Sequence, residues 1–432
     1  MDKFIENNKN IYYLDPNNGK LLKFSKSSNN IKELINKLNN NQYINKPHTN
    51  DSIGIFLMVA QNCNMRCKYC YADHGKYNKR EGFLSKEIAI DIVNFLIKNF
   101  RLEYIQFFGG EPSLNLNIID YIINYIKSLK NRGIINYIPF FSMVTNLYSN
   151  IDKLSDIVKK HNIELTVSID GDNYLHNTLR KDKFNCNTFN TIKNNYDKLL
   201  YNDITPSIEV TYTGLHQNYM DLDELYEYFI GNFRFKKIFI TSVVNCGIEE
   251  NLRLDFKEFY QEKKIMMLKL MDRMCTNDPI YSSEIINNIK KILTNYNRNF
   301  YLCRNAPGSQ QFTIDIDGDF YPCYCMSGSS DLQLGNIKTI RKNDIMKSKE
   351  KYDNLNKNNR ACYGCRVKGL CSVCLANDYY SDDKLKFGEI NSNNCKFRKD
   401  YYTSLLLKYI DIIEDKSLSD KFIKNMIKGL NL

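Results

Sequence analysis

The clearest pattern in the chain is a series of short apolar runs between residues 53 and 245 that alternate with longer amphipathic stretches. The apolar runs have the length and the Val, Ile, Phe and Tyr content of buried strands. The stretches between them carry apolar residues at helical spacing. The predicted strands are 53–60, 104–110, 138–146, 163–170, 206–213 and 236–244, and the predicted helices are 85–100, 116–131, 151–161, 187–201 and 219–232.

Repeated strand–helix units with apolar strands predict a parallel sheet covered by helices. Six such units predict an α/β fold, a partial (β/α)6 barrel of the TIM-like type. In sheets of this kind the active site lies at the carboxyl ends of the strands. The residues that directly follow the predicted strands are therefore the candidates for chemistry.

The segments outside the barrel predict further units. The N-terminal unit contains two short strands around the turn "PNNG", followed by a short helix. The cysteine-rich region begins with a hairpin that turns at Asp317-Gly318. The domain prediction is an N-terminal peptide-recognition-like unit at 1–50, the barrel at 51–250, a helical bridge at 251–302, the cysteine-rich domain at 303–398 and a C-terminal helix at 399–432.

Composition excludes several classes of protein. The net charge is +11, but the basic residues form no dense block, so no nucleic-acid partner is predicted. No apolar run reaches the ~18 residues of a membrane span. The opening "MDKFIENNKN" lacks the apolar core of a signal peptide, so we expect a cytoplasmic protein without a membrane partner. Fourteen cysteines in a reducing compartment indicate metal or redox chemistry.

Three cysteines, Cys63, Cys67 and Cys70, follow the first predicted strand with the spacing CxxxCxxC. Three thiolates can hold three irons of a four-iron cluster and leave the fourth iron open. A zinc site would need a fourth ligand, for which His74 is the candidate. With a strand before it and Tyr69 before the last cysteine, the motif resembles the signature of radical S-adenosylmethionine (radical SAM) enzymes. The resemblance implies a [4Fe-4S] cluster whose open iron binds S-adenosylmethionine (SAM).

The motif GGEP ends the second predicted strand and resembles a motif of the same family. Its glycines allow the backbone to approach a ligand closely, and its glutamate is an acceptor suited to an ammonium group. The resemblance implies that these four residues bind the methionine amino group of SAM, namely Gly109, Gly110, Glu111 and Pro112. Asn146, after the third strand, is a further candidate for binding SAM.

The fourth predicted strand ends in SIDG, and HNTLR follows it. The stretch looks like a family pattern with Ser, Asp, His and Arg at these spacings. The resemblance implies that Ser168 and Asp170 make polar contacts and that Arg180 pairs with the SAM carboxylate, while His176 caps or packs. It also implies the chemistry: one electron from the cluster cleaves SAM, and a 5′-deoxyadenosyl radical abstracts hydrogen from the substrate.

A second group of cysteines lies beyond residue 302. With Gly318, seven of them resemble the SPASM domain, which carries two auxiliary four-iron clusters, although the spacing from Cys371 to Cys374 is one residue short of the usual pattern. The resemblance implies three [4Fe-4S] clusters in the whole chain, and two zinc sites in this region are the alternative. The outer auxiliary cluster would use Cys362, Cys365, Cys371 and Cys395, and the inner one Cys303, Cys323 and Cys374.

The inner set is one ligand short, because "CRNAPGSQQF" offers no second cysteine after Cys303. Either the inner cluster keeps an open iron that binds a substrate thiolate, or Cys325 closes it. We expect the open iron, because Cys325 stands only two residues beyond Cys323. Three isolated cysteines are expected to be buried as small hydrophobic residues, namely Cys186, Cys246 and Cys275.

The resemblance also implies a substrate class, since SPASM proteins mostly act on ribosomally made peptides. The expected partners are a precursor peptide with a leader and a low-potential electron donor such as flavodoxin or ferredoxin. The N-terminal unit is similar to the start of a leader-recognition element, and a free strand edge there suits strand addition; a packing extension of the barrel is the alternative. An open inner iron favours a Cys thioether, as in sactipeptide and ranthipeptide maturases. Carbon–carbon crosslinking and epimerisation are the alternatives.

Two other functions compete with peptide crosslinking. A sulfatase-type formylglycine maturase would carry a catalytic Asp directly after Cys323, where this sequence has Tyr324. The catalytic residues therefore stay unknown, and Tyr321 and Tyr324 are pocket candidates. An iron–sulfur scaffold or electron carrier is the third function, and the intact GGEP and CxxxCxxC motifs argue against it.

Overall fold

The computed structural model describes most of the chain, in the following stretches. These are residues 4–6, 10–14, 21–25, 51–244, 248–280, 282–293, 303, 308–357, 362, 365–367, 370–374, 380–381, 384–385 and 392–430. Within them, the largest element is a ten-stranded mixed sheet, and two smaller sheets are separate from it.

The N-terminal unit is a three-stranded antiparallel sheet: β1 (Phe4–Glu6), β2 (Asn10–Leu14) and β3 (Leu21–Ser25), with β2 in the middle. The two strands predicted around "PNNG" correspond to β2 and β3, and β1 is an addition to the prediction. The predicted helix after them lies outside the described residues. Two side chains dock this sheet on the C-terminal part of the chain: Tyr12 donates to Glu414 across 2.5 Å, and Lys23 pairs with the same carboxylate.

Six parallel strands form the centre of the large sheet, and each matches a predicted strand. Their spatial order follows the chain, because each pairs with the next. The predicted α/β fold with a partial barrel is therefore confirmed. The strands are β4 (Ser52–Gln61), β6 (Arg101–Gly109), β7 (Phe140–Thr145), β8 (Glu164–Ser168), β9 (Ser207–Tyr212) and β10 (Ile238–Ser242), and the short β5 (Gly82–Phe83) pairs with β4.

Helices follow the strands and cover one face of the sheet with apolar side chains. The first begins at Ser85, whose side chain accepts the N–H of Ile88, and it buries Ala89, Ile92, Val93 and Leu96. The helices of this region are α1 (Lys86–Asn99), α2 (Leu116–Asn131), α3 (Ile151–His161), α4 (Asn173–Leu179), α5 (Phe189–Tyr201), α6 (Gly214–Gln217) and α7 (Leu222–Asn232).

The cysteine-rich region continues the same sheet. Strand β11 (Gln311–Ile314) pairs in parallel with β4, and β12 (Asp319–Tyr321) and β13 (Gly335–Asn336) extend the sheet as antiparallel strands. The predicted turn at Asp317-Gly318 joins β11 to β12, and Gly318 adopts a positive φ of 81°. The two regions therefore share one hydrogen-bonded sheet.

Further helices pack around this sheet. They are α8 (Phe256–Arg273), α9 (Ser283–Leu293), α10 (Lys342–Lys357), α11 (Ser392–Glu414) and α12 (Lys416–Leu430), and a two-stranded ribbon consists of β14 (Tyr380–Ser381) and β15 (Lys384–Leu385). The sequence pattern predicted one helix from residue 399, whereas the structure has two that meet at Asp415. In the described part of the chain, no helix is long and apolar enough to cross a membrane.

Candidate cofactor and cluster sites

The loop after β4 carries the CxxxCxxC motif and groups its three thiols. Cys63 interacts electrostatically with both Cys67 and Cys70. Backbone hydrogen bonds fix the loop, since the N–H of Arg66 reaches the carbonyl of Lys181 across 2.7 Å. Burial raises the pKa of the Cys67 thiol to about 11.

The two glycines of GGEP bring the end of β6 against the cysteine loop. A Cβ at Gly109 would lie 2.1 Å from the carbonyl oxygen of Ala60, and one at Gly110 would lie 2.3 Å from that of Asn62. Two backbone hydrogen bonds form across this close contact: the N–H of Gly110 donates to the carbonyl of Ala60, and the N–H of Glu111 donates to the carbonyl of Asn62. The close approach expected for a ligand is thus made by the chain's own backbone, which fixes the loop that carries the cysteines.

Glu111 is 1% exposed, and the ends of two strands hold its carboxylate. Oε1 accepts from the N–H of Ser113 and the hydroxyl of Thr145, and Oε2 accepts from the N–H of Asn146 across 2.8 Å. Burial raises the pKa of Glu111 and these hydrogen bonds lower it, with a raised value as the result. Pro112 starts a short 3₁₀ turn directly behind it. A carboxylate has about four acceptor positions, so Oε2 keeps room for one further donor.

Asn146 links Glu111 to the cysteine loop. Its backbone N–H binds Glu111, and its side-chain amide donates to Asn64 across 2.8 Å and lies 3.8 Å from the Cys63 sulfur. This predicted site residue therefore contacts both motifs that the sequence associated with the cofactor.

Arg180 is buried beside the cysteine loop with an unused donor. Its Nη1 donates to the Tyr69 hydroxyl, which donates in turn to Asp170 across 2.5 Å. The guanidinium also interacts with the Cys67 thiol. In the described part of the chain its Nε–H has no hydrogen-bond partner. A buried donor without a partner is costly, so this geometry fits an anionic ligand such as a carboxylate beside the cysteines.

Ser168 ends β8 and faces the side of the sheet that the helices do not cover. Its register partner on β9 is Glu209, which pairs with Phe239 on β10. Ile208 and Val210 beside it are fully buried in the helix-covered core, and side chains alternate along a strand. Ser168, Glu209 and Phe239 therefore lie in one row on the opposite side, which we call the inner face.

Glu209 is a residue that the sequence reasoning missed. Burial raises its pKa from 4.5 to about 7, against the opposing effect of Arg180, and Asp170 raises it further. The Glu209 charge also raises the pKa of Tyr324 across the inner face. Within the described ranges, the Glu209 carboxylate forms no hydrogen bond or ion pair. The available signal was a glutamate at an inward position of the otherwise apolar strand "SIEVTY".

The two tyrosines proposed for the pocket lie in different surroundings. Tyr321 is 1% exposed, and the Lys79 ammonium lies 5.5 Å from its ring centre. Tyr324 packs between Phe56 and Phe108, with both pairs of ring centres 5.0 Å apart. Because Phe56 and Phe108 belong to β4 and β6, Tyr324 brings the cysteine-rich region to the inner face of the barrel.

The C-terminal thiols fall into two groups. Cys371 interacts electrostatically with the other members of the predicted outer set, and Cys325 interacts with all three members of the predicted inner set. The first group is Cys362, Cys365, Cys371 and Cys395, and the second is Cys303, Cys323, Cys325 and Cys374. Between them lies an apolar cluster of Met326, Leu332 and Val373, on whose edge several of these cysteines pack.

Over the described residues, no group of three or more His, Cys, Asp or Glu side chains is arranged to hold a single metal ion. That result concerns single ions, whereas a four-iron cluster is a larger group held by cysteines around it.

The isolated cysteines differ from the expectation in one case. Cys275 is buried as expected, with its thiol 3.4 Å from the carbonyl oxygen of Met271. Cys186 is exposed, so the prediction that it is buried was wrong. It lies in a loop whose backbone N–H groups are bound by Asp182, and this turn directs the thiol outward. Cys246 lies outside the described residues.

Comparison with known proteins defines the class of the chain. A model of the Radical SAM superfamily matches residues 57–229, and a model of the SPASM iron–sulfur cluster-binding domain matches residues 303–366. An uncharacterised protein of Methanocaldococcus jannaschii is 30% identical over 300 residues, which cover 69% of this chain and 93% of that protein. The chain belongs to the Radical SAM superfamily, is an enzyme of that class and carries a SPASM domain.

Two further relatives have names that describe an activity. The radical SAM cyclopropyl synthase TigE of Paramaledivibacter caminithermalis is 25% identical over 77% of this chain and 70% of its own length. A cysteine-type anaerobic sulfatase-maturating enzyme of Clostridium novyi is 25% identical over 74% of this chain and 86% of its own length.

Solved structures share the fold. The enzyme anSMEcpe with bound AdoMet superposes with a TM-score of 0.71 at 18% identity, over 86% of this chain and 98% of that one. Streptococcus suis SuiB bound to its precursor peptide SuiA gives a TM-score of 0.53 at 15% identity, over 78% and 75% of the two chains. The predicted barrel with a C-terminal SPASM domain is thereby confirmed.

Proposed function

We propose that this enzyme modifies a ribosomally made precursor peptide and joins a peptide cysteine to a carbon atom through a thioether bond. The observation that carries the peptide substrate is the open side of the barrel. There β10 is the end strand of the large sheet, and its Phe239 is 37% exposed on the inner face, in register with Glu209. Among the described strands none pairs with the outer edge of β10, and such an edge beside an exposed aromatic ring suits an extended peptide.

The relatives support a peptide or protein substrate. SuiB is described with a precursor peptide, and the C. novyi relative is named for maturing a sulfatase. The N-terminal sheet supports recognition of a leader, because β1 and β3 are its outer strands and no described strand pairs with their far edges, which suits strand addition. The contacts of Tyr12 and Lys23 with Glu414 fix that sheet on α11.

The geometry of the described side chains supports the proposed cofactor residues. Cys63, Cys67 and Cys70 would hold the cluster, Arg180 would donate from Nε to the carboxylate of SAM, and Glu111 would accept its amino group. When bound, the clusters and SAM would supply the one-electron chemistry that removes a hydrogen atom from the peptide, and they would accept the electron that is released later.

Glu209 would remove the proton in this proposal. Thioether formation takes two hydrogens from the peptide: one leaves its carbon as an atom, and the thiol gives up a proton and an electron. Glu209 lies on the inner face, where no described residue pairs with its carboxylate, it interacts electrostatically with Tyr324, and its pKa of about 7 suits proton acceptance near neutral pH. Ser168 lies beside it in register and can orient a polar group of the peptide or of SAM.

Other outcomes at the same site differ in the mass and labelling of the product. A carbon–carbon crosslink also removes two hydrogens but leaves the thiol free. Epimerisation leaves the mass unchanged and brings in hydrogen from solvent. Formylglycine formation is disfavoured because Tyr324, and not an aspartate, follows Cys323. In its place Glu209, which interacts with Tyr324, is the carboxylate that could accept a proton at this site.

The experiment is anaerobic co-expression with a short cysteine-containing reading frame that neighbours the gene, followed by mass spectrometry. The expected product has lost two hydrogens and no longer reacts with iodoacetamide. The matched control is Cys67→Ala, which should return an unmodified peptide. A modified peptide with a free thiol would contradict the thioether. In this proposal the enzyme works in the cytoplasm with flavodoxin or ferredoxin as donor, since its thiols must stay reduced.

A further inference from the structure

The predicted inner cluster has three assigned cysteines, and the structure brings a fourth thiol to them. Among the C-terminal thiols, the interactions of Cys325 are with Cys323, Cys374 and Cys303. Those of Cys371 are with the outer set alone. The eight described C-terminal cysteines thus divide four and four, with Cys325 completing the inner group.

A tight turn places Cys325 there. Cys323 has extended backbone angles, φ −149° and ψ 151°, and the short 3₁₀ turn Tyr324–Met326 follows it. The N–H of Met326 donates to the Cys323 carbonyl across 3.0 Å and closes this turn. The two-residue separation that looked unfavourable in the sequence therefore lies within one tight turn, which keeps Cys325 beside Cys323.

The residues on either side of Cys325 pack in different places, and the apolar cluster that contains Met326 is also contacted by Cys303 and Cys323. Met326 is 1% exposed and packs into the apolar cluster with Leu332 and Val373. Tyr324 packs against Phe56 and Phe108 on the barrel side. The turn therefore anchors the Tyr324 ring on one side and the Met326 side chain on the other, and Cys325 lies between these two anchored residues.

We propose that Cys325 is the fourth ligand of the inner auxiliary cluster, which is then closed in the resting enzyme. On ligation the thiol exchanges its S–H bond for an S–Fe bond and releases a proton to solvent. This replaces the expectation of an open inner iron. With no open iron to bind it, a peptide thiol would lie against the inner face, next to Glu209. The proposal rests on the SPASM clusters and does not depend on which bond the enzyme makes in a peptide.

The test needs no peptide. The starting protein is the full chain with Cys63, Cys67 and Cys70 all changed to Ala, so that the auxiliary clusters alone contribute to the spectrum. After anaerobic reconstitution and reduction, its EPR spectrum is recorded with and without excess cysteamine as a thiolate probe. We expect no change on adding cysteamine. A shifted spectrum would mean an open iron and would overturn the proposal.

Substitutions in the same background localise the effect. Cys325→Ala should either lose about half of the auxiliary iron or gain a cysteamine-dependent spectrum, whereas Cys186→Ala, an exposed thiol outside both groups, should behave as the background. Cys325→Ser keeps an oxygen ligand in the same turn and covers the case in which the alanine variant fails to fold. An altered inner-cluster signal with full iron supports the proposal, and an unaltered spectrum contradicts it.

Discussion

The ammonium of Lys79 lies 2.7 Å from the carboxylate of Asp315, and Asp315 is 1% exposed. Lys79 belongs to the loop that follows the first three cysteines, and Asp315 begins the turn of the β11–β12 hairpin. The same ammonium reaches Asp319 across 2.6 Å, and the pair of acids raises the pKa of Lys79 despite its partial burial. One cation therefore joins the loop of the SAM cluster motif to the SPASM domain.

Lys79→Met should strongly destabilise the protein, because it leaves the buried Asp315 carboxylate without its cation. Breaking a buried pair from one side costs about 3–5 kcal/mol. The free energy of unfolding is measured by anaerobic denaturation of the reconstituted enzyme. Lys76→Met is the matched control, since Lys76 pairs with Glu81 in the same loop but at the surface. It should cost less than about 1 kcal/mol. Equal losses in both variants would contradict this role.

The barrel could be predicted from the sequence because each of its strands is a local apolar run. The continuation of the sheet could not. Strand β11 is four residues long, and its partner β4 lies about 250 residues earlier, with Gln311 opposite Gly54. When two parallel strands lie so far apart in the sequence, the hydrophobic pattern of neither segment reveals that they pair. The added strand β1 was missed for a related reason, since three residues are too few to show alternation.

Arg180→Ala should weaken SAM binding about 10- to 100-fold. The missing contact would be a charge-assisted hydrogen bond, worth about 1.5–3 kcal/mol. Isothermal titration of SAM into the reconstituted enzyme measures the change. Lys183→Ala, an exposed cation in the following loop, should leave the affinity unchanged. Unaltered binding in Arg180→Ala would show that its free Nε serves another partner.

Glu209 should make stability depend on pH. Its pKa is raised from 4.5 to about 7 in the folded state, so between these values the folded protein binds more protons than the unfolded chain. Stability then falls as pH rises through this window. Glu209→Gln stays neutral and should lose less stability between about pH 5 and pH 8 than the native enzyme. The denaturation midpoint at both pH values checks this, and identical pH dependence in the two proteins would refute it.

The same substitution should separate radical formation from product formation. Glu209→Gln should still cleave SAM, because it removes no predicted cofactor contact. Its crosslinked product should fall about 100-fold or more, as expected for loss of a general base. Glu164→Gln, at the start of the neighbouring strand, is the control. If Glu209→Gln stops SAM cleavage as well, Glu209 is a cofactor contact instead.

Gly110→Ala should disturb the cysteine loop, because its Cβ would lie 2.3 Å from the Asn62 carbonyl oxygen and 3.0 Å from the Gly75 Cα. Overpacking of this kind costs about 1–3 kcal/mol and should lower the iron bound per chain. Gly231→Ala is the control, since a Cβ there meets nothing within 4 Å. Full iron content in Gly110→Ala would show that the loop moves aside without cost.

The candidate site was partly visible in the sequence. The cysteines and Arg180 stand in motifs, and spacing within a motif survives without knowledge of the fold. Glu209 stands in no motif, and its place opposite Tyr324 depends on how β9 and the turn after β12 meet in space. Spacing alone favoured an open inner iron, whereas the role proposed for Cys325 rests on the 3₁₀ turn after Cys323, a local conformation that the spacing does not reveal.

The most direct test of radical SAM activity is formation of 5′-deoxyadenosine from SAM under anaerobic reducing conditions. The native enzyme should form it, and Cys67→Ala should not, because that substitution removes one of the three thiols grouped after β4. Cys275→Ala, at a buried thiol in the helical region, should keep the activity. If the native enzyme forms no more 5′-deoxyadenosine than Cys67→Ala, the enzyme does not cleave SAM by this route.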